Sequence, residues 1–227
     1  MTTVAEPLRR GSGKVWALPG VYLPQADTRL LGRALRAEEA LAGADVLEIG
    51  TGSGALAVLA ARMGARVAAT DVSWRAVLSA RANAVLQRQR VRVRRGDLAG
   101  PARGRTYDMV VTNPPYVPSP QSRPPAGAAR AWDAGNDGRH VVDRVCSHAP
   151  ALLRPAGVLL MVHSGLCGVD LTLGQLESAG LAAEVVAREY VPFGPVLGRR
   201  LPWLRAQGLI GPGEEHEELV VIRAART

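Results

Sequence analysis

The length, composition and charge of the chain exclude several classes of protein. Its 227 residues suffice for one large domain with a buried core, and 47% hydrophobic with 21% charged residues exclude an intrinsically disordered chain. The N-terminal residues lack the apolar core of a signal peptide, and no later run approaches the length of a membrane span. Cys146 and Cys167 cannot form a disulfide framework and show no metal-ligand spacing. We therefore expect a cytoplasmic protein without a metal site.

The net charge of +8 has two explanations. With a pI near 10.6, the chain would suit an acidic partner such as RNA or DNA. However, Lys14 is the only lysine among the 28 basic residues, so the other 27 are arginines. That skew, together with abundant Ala and Gly, is typical of a biased genome composition. Charge alone therefore does not establish nucleic-acid binding.

Short apolar runs alternate with helical patterns along the chain, which predicts a parallel α/β sheet. Gly64 is placed to end the first of these helices, and Ser73 is the predicted N-cap of the second. A turn is expected at 154–157, and the last two strands are expected to pair. The predicted strands cover 45–50, 66–72, 91–97, 107–113, 158–164, 182–190 and 218–224, and the predicted helices cover 55–63, 74–87, 141–153 and 170–180.

The chain is expected to form one domain over residues 1–227. Segment 114–138, rich in Pro and Gly, is too long for an ordinary connection, so we predict a functional loop there. The expected parts are a lead-in and helix over 1–44, a core over 45–190, a long insert over 191–217 and a last strand over 218–227.

The stretch LEIGTGSG, residues 47–54, predicts a ligand-binding turn. A strand runs into Gly50, Gly52 and Gly54, and a helix follows. Glycines let the backbone turn tightly and let a ligand approach the helix N-terminus. The GxGxG spacing differs from the GxGxxG of the dinucleotide-binding fingerprint, and the plain alternative is a tight strand-to-helix turn.

Three acidic residues, Glu48, Asp71 and Asp97, fall at the ends of three successive predicted strands. The carboxyl ends of parallel strands share one edge of a sheet, and a carboxylate there can accept both hydroxyls of a ribose. Asp71 could instead cap the following helix, although Ser73 already fills that role. The pattern therefore favours a nucleoside site.

The stretch TNPPY, residues 112–116, follows the fourth predicted strand and faces the same edge. The Asn113 side chain and the Pro114 carbonyl offer two acceptors to an –NH2 group, and Tyr116 can stack on a flat amide or base. A planar nitrogen held in this way presents its lone pair to an electrophile. The plain alternative is a proline-terminated loop that Asn113 caps. The residues therefore favour methyl transfer to nitrogen, since an NAD enzyme would leave TNPPY unexplained.

LEIGTGSG, TDVS, GDL and TNPPYVP together resemble the motifs of class I S-adenosylmethionine-dependent methyltransferases that act on amino or amide nitrogens. VYLPQADTRLL (21–31) and AWDAGNDGRHVVDR (131–144) narrow the resemblance to the HemK-type protein glutamine methyltransferases, particularly the short eukaryotic and archaeal branch. The resemblance implies a Rossmann-like fold: a mostly parallel seven-stranded sheet with an antiparallel last strand and helices on both faces.

The resemblance also implies roles for single residues. Thr28, Glu48 and the backbone at Gly50 would line the methionine end of S-adenosylmethionine, within the loop that includes Gly52 and Gly54. Asp71 would hold the ribose, and Asp97 with Leu98 the adenine. In the NPPY segment, Asn113 and Pro114 would orient the substrate nitrogen, with Pro115 and Tyr116 beside them.

Partners also follow from the resemblance. Such enzymes methylate the glutamine of a Gly-Gly-Gln motif in release factors, and the short branch often needs a small zinc-binding activator subunit. The activator would add a strand at the third predicted strand, where RVRVRR (90–95) places arginines on one face of an expected sheet edge. Arginines there equally discourage aggregation.

Two departures from the family leave the substrate open. Ala26 stands where the family commonly has an acidic residue, and the insert 191–217 replaces a short hairpin. Trp203 and the arginines of the insert either cover a substrate or pack the sheet edge. The rival functions are N6-adenine methylation of DNA or RNA, methylation of a small molecule, an NAD-dependent oxidoreductase and a non-catalytic nucleotide-binding protein.

Overall fold

The computed structural model describes residues 3–5, 14–39, 41–121 and 125–226. The rest of the expected lead-in (1–2, 6–13 and 40) and residues 122–124 of the predicted functional loop lie outside the described residues. The strands are β1 (Thr3–Ala5), β2 (Val15–Ala17), β3 (Asp45–Ile49), β4 (Arg66–Asp71), β5 (Val91–Arg95), β6 (Tyr107–Thr112), β7 (Leu153–Ser164), β8 (Leu181–Pro192) and β9 (His216–Arg226). The helices are α1 (Ala26–Ala37), α2 (Ala55–Arg62), α3 (Trp74–Leu86), α4 (His140–Leu152), α5 (Val169–Ser178) and α6 (Pro195–Ala206).

Seven strands form one sheet in the order β5-β4-β3-β6-β7-β9-β8. The pairs from β5 to β7 are parallel, and β9 runs antiparallel to both β7 and β8. The predicted mostly parallel sheet with an antiparallel last strand is therefore confirmed. Ile49 pairs with both Thr70 and Thr112, so β3, β4 and β6 end level at the carboxyl edge.

The central strands are apolar because both sides of the sheet are covered. Val110 and Val111 of β6 and Leu159 and Leu160 of β7 are almost completely buried. One group of helices packs as α1 on α2 and α2 on α3, and a second group packs as α4 on α5. Continuous apolar runs, rather than alternating ones, are typical of strands covered in this way.

Most predicted boundaries agree with the structure to within a few residues. The Ser73 side chain accepts a hydrogen bond from the backbone of Ala76, and Gly64 adopts φ +91° just after α2. The turn expected at 154–157 is instead part of β7, whose register against β6 shifts there, and Ala156 has φ +60°. Because Ala156 adopts the left-handed conformation, the chain changes direction locally and β7 continues past it.

Both ends of the chain contain elements that the periodicity did not predict. The lead-in includes the short pair of β1 with β2. Strands β8 and β9 extend into the expected insert from either side, and the residues between them include α6. β5 is the edge strand as predicted, with Arg92 and Arg94 exposed and Val93 buried. Within the described part of the chain, no helix has the length and apolarity to cross a membrane.

Candidate active site

A cavity of about 940 Å³ lies at the carboxyl edge of the parallel strands. Its walls come from the start of α1, the loop after β3, the ends of β4 and β6, the end of β8 with the residues that follow it, and the start of β9. The site residues expected from the sequence line this cavity, with the exception of Gly54: Thr28, Glu48, Gly50, Gly52, Asp71, Asp97, Leu98, Asn113, Pro114, Pro115 and Tyr116.

Gly54 lies behind the loop rather than on the cavity wall. It has φ +82°, and a Cβ there would lie 2.8 Å from the Cα and Cβ of Ala80 in α3. Gly50 differs, because a Cβ on it would meet nothing closer than the Asn113 carbonyl oxygen at 3.9 Å. The surface over Gly50 is thus open to a ligand, whereas Gly54 allows α2 to pack against α3.

Glu48 fixes the glycine-rich loop from beneath. Its Oε2 accepts hydrogen bonds from the Thr51 hydroxyl and, at 2.9 Å, from the backbone N–H of Ala57 in α2. Burial is the main reason why the pKa of Glu48 is raised to about 8, and the charge of Asp71 acts in the same direction. One oxygen of this carboxyl is therefore used within the protein.

Asp71 fixes the other side of the same loop. Its Oδ2 accepts from the backbone N–H of Gly52 at 2.9 Å, and its Oδ1 accepts from that of Ser73 at 2.8 Å. Burial raises the pKa of Asp71, while these backbone N–H groups oppose the rise. A carboxylate has about four acceptor sites, so two bonds leave it able to bind ligand hydroxyls.

Asp97 differs from the other two carboxylates. It lies two residues beyond the end of β5 and is exposed, where it forms an ion pair with Arg144 at 2.5 Å. The prediction that it ends the third strand is thus wrong, because β5 stops at Arg95. Leu98, which follows, has φ +44°, and its carbonyl accepts from the Thr70 hydroxyl at 2.7 Å.

A buried carboxylate, Asp27, holds the NPPY segment. Its Oδ2 accepts three hydrogen bonds: from Asn113 Nδ2 at 2.9 Å, the Tyr22 hydroxyl at 2.8 Å and the Tyr116 hydroxyl at 3.1 Å. Its Oδ1 accepts from the backbone N–H of Thr28 at 2.5 Å. Burial and the charge of Asp27 raise the pKa values of both tyrosines, so both phenols stay protonated as donors.

The contact with Asp27 determines how the Asn113 amide is turned. A carboxylate can only accept hydrogen bonds, so the amide must present its –NH2 group to Asp27. The carbonyl oxygen Oδ1 is then on the opposite side, and no group among the described residues donates to it. This leaves an unused acceptor beside the backbone of Pro114 on the cavity wall.

Three residues of the site were not identified from the sequence. Tyr22 and Asp27 lie within VYLPQADTRLL, so the motif itself was a signal for them, although only Thr28 was assigned a role. Glu217, at the start of β9, is buried and lines the same cavity. No local pattern indicated Glu217, because only the fold brings the start of β9 to the cavity.

The protein matches known methyltransferases. The methyltransferase small domain family matches residues 12–188. A putative protein N5-glutamine methyltransferase of Methanocaldococcus jannaschii is 33% identical over 177 residues, which is 77% of this chain and 88% of that protein. A release factor glutamine methyltransferase of Bordetella pertussis is 38% identical over 185 residues, 76% of this chain and 67% of that one.

A solved structure supports the fold. It is the E. cuniculi Mtq2–Trm112 complex responsible for methylation of the eRF1 translation termination factor, with a TM-score of 0.64 and 24% identity. The match covers 92% of this chain and 99% of that chain.

The sheet and the cavity at its carboxyl edge define a class I methyltransferase, whose cofactor is S-adenosylmethionine. The residues present fit that cofactor, since the loop at Gly50 leaves room that a side chain would fill and Asp71 has acceptors for hydroxyl groups. The chain belongs to the methyltransferase small domain family, which matches it over most of its length.

Proposed function

We propose that this enzyme methylates the side-chain amide nitrogen of a protein glutamine, with a release factor as the first candidate substrate. The observation that carries the proposal is the Asn113 amide, which Asp27 holds with its carbonyl oxygen unused. An acceptor in that position suits a substrate –NH2 group, which is a donor. The names of the Methanocaldococcus and Bordetella relatives support glutamine as the residue modified.

In the proposed cofactor site, Thr28, Glu48 and the Gly50 backbone line the methionine end. Asp71 accepts from the ribose hydroxyls, and Asp97 with Leu98 borders the adenine. S-adenosylmethionine supplies a methyl group that its sulfonium has already activated. The acceptor nitrogen would gain the methyl group and lose one of its two protons to solvent, while the sulfonium becomes a neutral thioether. No charged base is therefore required of the protein, whose task is to bind and to orient.

In the proposed acceptor site, the two amide hydrogens of the glutamine are accepted by Asn113 Oδ1 and the Pro114 carbonyl. The nitrogen lone pair is then directed out of the amide plane toward the cofactor side. Orientation of this kind can supply about 7–11 kcal/mol of a barrier in favourable cases. Asp27 acts as a positioning residue, because it keeps the Asn113 –NH2 group away from the substrate.

The insert 191–217 is proposed to cover the acceptor side. Its first residues, including Val191, Pro195 and Leu197, line the cavity. Arg200 of α6 donates to the carbonyl of Pro118 at 2.9 Å and pairs with buried Asp133, which ties α6 to the loop after NPPY. The cover and the NPPY loop therefore form one wall, and we expect it to select the substrate.

Asn113→Ala tests the proposed reaction. We expect methyl transfer to fall by about 100-fold or more, while the Kd for S-adenosylmethionine stays within about twofold of the wild-type value. Asn136→Ala is the matched control, since Asn136 is an exposed amide in the loop after NPPY. Unchanged turnover in Asn113→Ala would contradict the role of Asn113.

N6-adenine methylation remains the alternative that the geometry favours next, because an adenine amine is also a planar –NH2 group. Incubation with labelled S-adenosylmethionine and separated protein and nucleic-acid fractions distinguishes the two. Label in protein supports the glutamine proposal, and label in nucleic acid supports the alternative. The proposed protein substrate would place the enzyme in the cytoplasm, where translation factors act.

We also propose that the β5 edge binds a small partner subunit that activates the enzyme. Helix α3, which packs beside β5, exposes Trp74, Leu78, Val85 and Leu86, and Val85 is 76% exposed. An apolar face next to a strand edge that no other described strand covers suits a partner that adds a strand and covers the helix.

Val85→Glu tests the partner site. We expect it to abolish stimulation by the partner without changing the Kd for S-adenosylmethionine. Leu171→Glu is the control, because Leu171 of α5 is similarly exposed but distant in the sheet order. Full activity of the isolated chain would contradict the need for a partner.

A further inference from the structure

The carboxyl group of Glu217 is buried in the wall of the active-site cavity with one oxygen unpaired. Its Oε1 has no hydrogen-bond partner, and His163 Nε2 is the other buried side-chain atom in this state within the described part of the chain. The Ser164 hydroxyl hydrogen-bonds the carboxyl group, and the residue is 7% exposed. Buried polar atoms without partners are rare because they destabilise the fold, so each needs an explanation.

The sheet order places Glu217 on the opposite side of NPPY from the three acidic residues of the cofactor site. Glu48, Asp71 and Asp97 belong to β3, β4 and the loop after β5, which lie on one side of β6. Glu217 begins β9, and its partner Ser164 ends β7, both on the other side. Because β6 carries Asn113 at its end, Glu217 faces the acceptor half of the cavity.

We propose that Glu217 is a specificity-determining residue that accepts a hydrogen bond from a backbone N–H group of the acceptor peptide. The inference rests on the proposed glutamine methylation and deepens it. The two hydrogens of the glutamine amide are already accepted by Asn113 and Pro114. Glu217 therefore takes a different donor, and in a peptide the nearest such donors are backbone N–H groups.

Two attachment points would explain how the site selects a glutamine within a chain. A free amide or an adenine offers the –NH2 group but no backbone N–H at a fixed distance from it. Val191, Leu197 and Leu219 line the cavity with Glu217 and provide apolar contact for the peptide. A peptide therefore satisfies both the unpaired oxygen and the apolar wall.

The surroundings of Glu217 give the interaction a dependence on pH. Asp27, Tyr22, Tyr116 and Cys167 interact electrostatically with it, and Ser164 hydrogen-bonds it. Burial is the main reason why the pKa of Glu217 is raised to about 7. The carboxylate is the stronger acceptor, so the KM for the peptide should fall as the pH rises from about 6 to about 8.

Glu217→Gln tests the inference, with Glu218→Gln as the matched control. Glu218 is the adjacent carboxyl, and it pairs with Arg188 and Tyr190 instead. Steady-state methylation of a Gly-Gly-Gln peptide should show the KM for peptide raised about tenfold or more in Glu217→Gln, with kcat and the Kd for S-adenosylmethionine within about twofold. The fall in KM between about pH 6 and pH 8 should disappear in this variant alone.

An unchanged KM for the peptide in Glu217→Gln, or a changed Kd for S-adenosylmethionine, would overturn the inference. Thermal unfolding of both variants shows whether each is folded. If Glu217→Gln is not folded, Glu217→Asp replaces it in the same comparison. The proposed function fails separately, if the wild-type enzyme labels an acceptor other than glutamine. In that case the same KM comparison on the labelled acceptor decides the role of Glu217.

Discussion

Asp27→Asn is expected to lower kcat because it removes the charge that fixes the Asn113 amide. In the wild-type protein, Oδ2 accepts three hydrogen bonds and Oδ1 accepts from the Thr28 backbone. An asparagine has one oxygen, so its –NH2 group must face either Thr28 N–H or the three donors. A hydrogen bond to a charged group contributes about 1.5–3 kcal/mol, so losing the orienting bond should lower kcat by about 10- to 100-fold.

The assay is kcat at saturating peptide and cofactor, together with the Kd for S-adenosylmethionine from calorimetry. Tyr22→Phe is the control, because it removes one donor to the same Asp27 oxygen without touching Asn113. We expect its kcat to stay within about threefold of the wild-type value. If Asp27→Asn keeps the wild-type kcat, Asp27 does not orient Asn113 and the reasoning is refuted.

Three further predictions concern stability and cofactor binding. Gly54→Ala should lower the free energy of unfolding in urea by about 2–4 kcal/mol, because residue 54 has φ +82° and its new Cβ would clash with Ala80. Gly43→Ala is the control, since Gly43 has φ +78° but open space around it, and it should lose only about 1–2 kcal/mol. Equal losses in the two variants would contradict the clash with Ala80. Folding raises the pKa of Glu217 to about 7, so the wild-type protein loses stability as the pH rises from about 4.5 to 7. The free energy of unfolding of Glu217→Gln should therefore rise by about 1–3 kcal/mol relative to wild type between about pH 4 and pH 8. A difference between the two proteins that does not change with pH would argue against the raised pKa of Glu217. Asp71→Ala should weaken the binding of S-adenosylmethionine by about 10- to 100-fold in calorimetry, and an unaffected Kd would show that the ribose assignment is wrong.

The positions of the strands along the chain and the sheet edge that holds the cavity could be predicted, because both follow from local sequence patterns. A strand that ends in glycine or proline fixes where the chain leaves the sheet, and parallel strands bring those ends to one edge. The residues at 47–54 and 112–116 meet there for this reason. The motifs alone therefore predicted the edge at which the chemistry occurs.

The hydrogen bonds within the site could not be predicted, because they join distant parts of the chain. Asp27 meets Asn113 only once α1 lies over the end of β6. Glu217 reaches the cavity only because β9 inserts between β7 and β8. The sequence placed Gly54 in the glycine-rich loop with the ligand-binding glycines. Only the structure shows that Gly54 packs against Ala80 and does not line the cavity.

The central claim is methyl transfer to a glutamine amide, and mass spectrometry of the acceptor tests it most directly. The purified enzyme, with any partner subunit that copurifies with it, is incubated with the release factors of its source organism and labelled S-adenosylmethionine. We predict one added methyl group on the side-chain nitrogen of the Gly-Gly-Gln glutamine, and no such product with Asn113→Ala. A methyl group found on another residue, or on adenine in nucleic acid, would contradict the assignment.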